Sequence, residues 1–152
     1  MTATPTSTEL LAATRWGECF SPEEIAAIAG YMDVRSYADN QSIFEQGDQD
    51  PFLAFIVSGN VDIAKEVADS LETIVVTLNA KTHFGELSLV DNEPRSASAI
   101  AKGAVTILAL PRESFLKLLD EEPKLGIKIQ QHLLTTISKR LRLTTRELIY
   151  RD

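Results

Sequence analysis

Hydrophobic positions along the chain change their period twice. At the N-terminal end Leu10, Leu11 and Ala13 recur at helical spacing and predict a short helix from Thr8 to about Gly17. Ser21-Pro22-Glu23-Glu24 then opens a second helix, with Ser at the N-cap, Pro at the first helical position and Glu at the third. Ile25, Ile28 and Ala29 supply its buried face. Residues 1–8, rich in Thr and Pro, read as a flexible tail ahead of a single domain over 9–152.

The next stretch has a different rhythm. Short β-rich pieces at 33–37, 41–44, 52–57, 60–66, 73–78, 96–101 and 104–110 are separated by Gly47-Asp48, Ser58-Gly59-Asn60, Asp69-Ser70 and Lys102-Gly103. Such regular punctuation predicts a mainly β fold, a sandwich, jelly roll or barrel over about 33–110. After Pro111 the helical period returns, with helices expected at 111–120 and 124–151. In the last of these Ile127, Leu134, Leu141 and Leu148 recur every seven residues, accompanied by Ile137 and Thr144. This stripe either pairs with a second copy, giving a homodimer, or packs on the chain's own β-domain.

Composition narrows the class without naming it. With 44% hydrophobic and 24% charged residues the chain is ordinary for a soluble domain. Fifteen basic against 22 acidic residues leave a net charge of −7, which opposes binding to DNA or to an anionic membrane. Lys139, Arg140, Arg142, Arg146 and Arg151 cluster near a helix end and read as solvated, dipole-compatible charges. The lone Cys19 excludes an internal disulfide, and no run approaches transmembrane length, so a cytoplasmic setting is expected.

The chemistry concentrates in HFGELSLVDNEPRSASAIA, residues 83–101. Gly85 permits close backbone approach, and a helical turn from Glu86 directs N–H groups at an anion. Arg95 follows a loop stiffened by Pro94 and can grip a phosphate in two parallel hydrogen bonds. Ser96 adds a hydroxyl donor, and small Ala97 leaves its N–H accessible. Glu86, repelled by phosphate, suits a neutral sugar hydroxyl. The alternative is an ion pair between Glu86 and Arg95 that closes a loop and binds nothing.

Phe84-Gly85-Glu86-Leu87-Ser88-Leu89, then Arg95-Ser96-Ala97-Ser98-Ala99-Ile100-Ala101, resembles the phosphate-binding cassette of the cyclic nucleotide-binding domain family. Ile43-Phe44-Glu45-Gln46-Gly47-Asp48 with Phe55-Ile56-Val57-Ser58-Gly59 is similar to its second signature, departing from it at Asp50 and Ala54. The resemblance implies an eight-stranded β-roll with flanking helices. It implies Glu86 on the ribose 2′-hydroxyl, Gly85 and Leu87 along sugar and phosphate, and Arg95, Ser96 and Ala97 on the cyclic phosphate. Val75 becomes a candidate wall for the purine. Residues 140–147 resemble the dimerising helix of bacterial catabolite activators, which makes Thr144 and Thr145 candidate base contacts and favours cAMP over cGMP.

Those activators continue into a helix-turn-helix domain, whereas this sequence ends at Asp152. The expectation is therefore a stand-alone receptor without DNA binding, acting through its C-terminal helices on a dimer interface or an unknown protein effector. An interaction module that no longer binds nucleotide is the alternative. No catalytic residues, metal ligands or cofactor are expected. His83 and His132 are too few and too separated for a cupin-like metal centre, and read as structural or surface residues.

Overall fold

A computed structural model describes residues 5–66 and 73–149. They fall into two compact units, one through Phe115 and one from Leu116.

The first unit opens with three helices, α1 (Ser7–Ala12), α2 (Trp16–Cys19) and α3 (Pro22–Ala29). The tail expected over 1–8 is shorter than its composition suggests, because Thr6 caps α1 by accepting from the Glu9 N–H at 3.1 Å. Residues 1–4 of that tail lie outside the described residues, as does the turn expected at Asp69-Ser70. The single helix expected over 8–17 is split because Thr14 redirects the backbone. Its hydroxyl donates to the Leu11 carbonyl at 2.6 Å and accepts from the Trp16 N–H at 3.2 Å, bonds that compete with the helical ladder. α3 starts as the sequence predicts. Ser21 accepts from the Glu24 N–H at 3.2 Å, and the Glu24 carboxylate accepts from the Ser21 N–H at 2.8 Å.

Six strands follow among the described residues, all paired antiparallel: β1 (Asp33–Tyr37), β2 (Ser42–Phe44), β3 (Phe52–Lys65), β4 (Thr73–Leu78), β5 (His83–Phe84) and β6 (Ser98–Pro111). The order is β1-β6-β3-β4, with β2 also on β6 and β5 also on β3. This is the expected mainly β fold with flanking helices. The breaks expected at 58–60 and 102–103 are bends within strands. Register shifts at Ile56/Ser58 and Ser58/Asn60 absorb the left-handed Gly59, and Gly103 sits left-handed within β6. Four expected strands thus merge into two long ones.

β3 is buried on both faces. Ala54 and Ile56 join a core with Phe44, Phe84 and Ile107, while Phe55 meets Trp16 edge-on at 5.0 Å. The N-terminal helices therefore cover the side of the sheet opposite the core.

The second unit holds the end of α5 (Arg112–Glu121) and α6 (Pro123–Ile149). The two helices approach closely at Gly126, where any side chain would collide with Leu119. Leu125, Ile129 and Leu133 are buried at four-residue spacing. The seven-residue stripe lies on another face, with Ile127 61%, Leu134 55% and Leu141 64% exposed. Leu148 and residues 150–151 of the expected helix lie outside the described side chains and residues. His132, expected at the surface, is half-buried. No described helix is long and apolar enough to cross a membrane.

Candidate functional site

Two short elements and one loop converge around Gly85. β5 pairs with β3 through Ala54↔Phe84 and Phe55↔His83, then stops. Gly85 turns the chain with φ 87° and caps α4 (Glu86–Asp91). The turn is tight, since a Cβ on Gly85 would stand 2.6 Å from the Phe52 carbonyl oxygen and 2.9 Å from Arg95 Nη1. Glycine is therefore required both by the left-handed backbone and by the approach of Arg95.

α4 ends at Asn92, again left-handed, and an extended stretch carries the chain to Arg95. The Arg95 backbone is fixed against the 45–48 turn. Its N–H donates to the Asp48 carbonyl at 3.0 Å, and its carbonyl accepts from the Gly47 N–H at 2.8 Å. Ser98 accepts from the Gln46 N–H at 2.9 Å and secures the same junction. The two sequence signatures, about fifty residues apart in the chain, thus meet in one structure.

The Arg95 side chain turns inward and is only 4% exposed. Its Nη2 donates to the carbonyls of Asp50 at 3.1 Å and Phe52 at 3.0 Å. Phe52 lies two residues before the point where the β3–β5 ladder ends, so the guanidinium supplies a donor that the sheet does not. The cation also lies 3.8 Å from the ring centre of Phe44 and 4.7 Å from that of Phe52. Among the described residues it forms no ion pair with Glu86 or any other carboxylate, and its buried Nε finds no hydrogen-bond partner. Burial lowers its pKa to about 10, against the opposing pull of Asp50 and Asp48, so it remains a cation at neutral pH.

Glu86, at 2% exposed, is a buried carboxylate in the first turn of α4. Its Oε2 lies 3.5 Å from His83 Nδ1. The structure thus excludes the loop-closing Glu86–Arg95 pair and gives the carboxylate a neighbour to which sequence alone assigns no role. The three-residue spacing across Gly85 is the one signal that points to it.

The other expected residues separate by position. Leu87 is exposed on α4, Ser96 is exposed and Ala97 half-buried in the bend before β6. Val75 stands on β4 at the register shift opposite Ile63 and Ala64, its side chain outside the described ones. Thr144 and Thr145 are exposed on α6 in the second unit, where the Thr144 hydroxyl donates to the Arg140 carbonyl at 3.0 Å. Asp50 and Ala54, the departures from the second signature, have clear roles. Asp50 offers its carbonyl to Arg95, and fully buried Ala54 fits between Ala109 and Phe84. No described cluster of three or more His, Cys, Asp or Glu residues could hold a metal ion.

The family model of the cyclic nucleotide-binding domain matches residues 34–122, more than half of the chain. The chain belongs to the cyclic nucleotide-binding domain family. Within that family it is 34% identical over 128 residues to a protein named Cyclic AMP receptor protein from Thermus thermophilus, covering 84% of this chain and 57% of that one. A cAMP-dependent protein kinase regulatory subunit from Aspergillus niger is 35% identical over 98 residues, 64% of this chain and 23% of its own length. The crystal structure of a cyclic nucleotide-binding domain from Methylobacillus flagellatus aligns with a TM-score of 0.77 at 28% identity, covering 88% and 75% of the two chains. This cyclic nucleotide-binding domain thus spans only 57% and 23% of these two curated relatives, one named as a receptor and the other as a regulatory subunit.

Proposed function

We propose that the protein is a receptor for a purine cyclic nucleotide, cAMP in preference to cGMP, and that the 84–97 cassette holds the ligand. The observation that supports this reading is the Arg95 cation, buried with no ion-pair partner among the described residues and an Nε–H that none of them accepts. A lone buried cation is costly, and a monoanion within reach removes that cost through charge-assisted hydrogen bonds. The cyclic phosphate is such an anion, and it competes with two neutral carbonyls for the guanidinium. Ser96 and the Ala97 N–H serve the same phosphate, Gly85 and Leu87 flank the sugar, and Val75 walls the base. Glu86 accepts from the ribose 2′-hydroxyl. The names of the relatives favour cAMP.

Ligand binding is transmitted through the C-terminal helix, whose exposed Ile127, Leu134 and Leu141 suit a second copy of the chain or a protein effector. The exposed, lone Cys19 fits a cytoplasmic setting. Calorimetric titration with cAMP and cGMP tests the assignment. Wild-type protein binds cAMP more tightly than cGMP, and Arg95→Leu weakens cAMP binding by about 2–4 kcal/mol, the loss of charge-assisted bonds to a buried anion. Absence of binding to both nucleotides would leave a protein-interaction module that has given up the ligand.

A further inference from the structure

His83 lies beside the Glu86 carboxylate, on the short strand that leads into the cassette. It occupies the first position of β5, paired with Phe55 across the ladder, and its ring packs on Phe55 with centroids 5.4 Å apart. The imidazole is largely buried, and the β5 pairing and the Phe55 ring fix its orientation. Three residues later, after the left-handed turn at Gly85, Glu86 brings its Oε2 to 3.5 Å from His83 Nδ1. A nitrogen lone pair facing a buried carboxylate at this range would be repulsive, so the proton belongs on Nδ1. The contact is longer than a hydrogen bond and therefore electrostatic, directed at one oxygen of the carboxylate.

We propose that His83 is a positioning residue: through Nδ1–H it orients the Glu86 carboxylate and so sets the preference of the site for ribose over 2′-deoxyribose. The proposal rests on the assignment of Glu86 to the 2′-hydroxyl. A carboxylate held at one oxygen presents a fixed acceptor to a sugar hydroxyl, whereas one that swings among rotamers loses the advantage of prior orientation. The effect is confined to that hydroxyl. Affinity for a ligand without it does not depend on how the carboxylate is aimed.

The test measures dissociation constants for cAMP and 2′-deoxy-cAMP with wild type, His83→Phe and His83→Asn. Phe keeps the ring against Phe55 and removes the nitrogen, while Asn places an amide N–H near the position of Nδ1. Wild type favours cAMP over the deoxy analogue by at least about tenfold, the size of one hydrogen bond to a charged group. His83→Phe reduces this ratio to near one through weaker cAMP binding alone, and His83→Asn restores most of it. If His83→Phe weakens both ligands equally, or leaves the ratio unchanged, His83 is structural and the proposal is overturned while the Glu86 assignment stands. If wild type itself does not distinguish the two ligands, the Glu86 assignment fails and the proposal with it. Should melting curves show that His83→Phe does not fold, His83→Gln, which moves the donor to the far side of the ring position, makes the same comparison.

Discussion

Gly85 and Gly47 share a left-handed backbone, with φ of 87° and 92°, but their surroundings differ. Around Gly47 nothing lies within 4 Å of an added Cβ, whereas at Gly85 the Phe52 carbonyl and the Arg95 guanidinium crowd it. Gly47→Ala should therefore cost about 1 kcal/mol, the strain of a left-handed alanine. Gly85→Ala should cost about 2–4 kcal/mol, because main chain or guanidinium must also move. Urea unfolding of both variants checks the difference, and equal costs would show that the close approach is unimportant. Residue types and spacing make Gly85, Glu86 and Arg95 legible in the sequence. The direction of the Arg95 side chain is not legible there, because its partners are carbonyls, and every residue type carries one. His83 is nearly silent for a related reason: its three-residue spacing to Glu86 gains meaning only once the fold turns the chain at Gly85.

At the scale of elements, end signals are reliable where side chains cap the backbone. α3 begins at the Ser21–Glu24 capping box that its sequence announces. They mislead where a glycine suggests the end of a strand. Gly59 and Gly103 mark bends that the sheet passes through, and only the pairing of β3 with β6 reveals the continuity. α6 displays two different faces, and each has its own expectation. Leu133 is fully buried, so Leu133→Ala should destabilise the fold by about 2–4 kcal/mol. Leu141 is 64% exposed, so Leu141→Ala should change monomer stability by less than about 0.5 kcal/mol. If the seven-residue stripe joins two copies, Leu134→Glu with Leu141→Glu converts a sedimenting dimer to a folded monomer. A wild-type monomer at all concentrations, with and without cAMP, would assign the stripe to a different partner.

For the molecule as a whole, ligand binding and stability are linked by mass action. If the cassette holds cAMP, a concentration a hundredfold above the dissociation constant stabilises the folded state by about 2.7 kcal/mol. For a chain of this size that corresponds to a rise in melting temperature of about 5–10 °C. The same dose given to Arg95→Leu should raise it far less, and an equal rise in both would place the nucleotide elsewhere. The chain leaves β3 at Lys65, adds β4 and β5 to the same sheet, and enters β6 at Ser98, the register partner of Ala64. Everything proposed to touch sugar and phosphate lies between those two register partners in the chain, carried by the sheet that β3 and β6 anchor. Such an arrangement makes the recognition segment dependent on its receiver: a transplant of residues 83–97 into a relative keeps the guanidinium in place only if the 47–52 stretch that holds Arg95 travels with it.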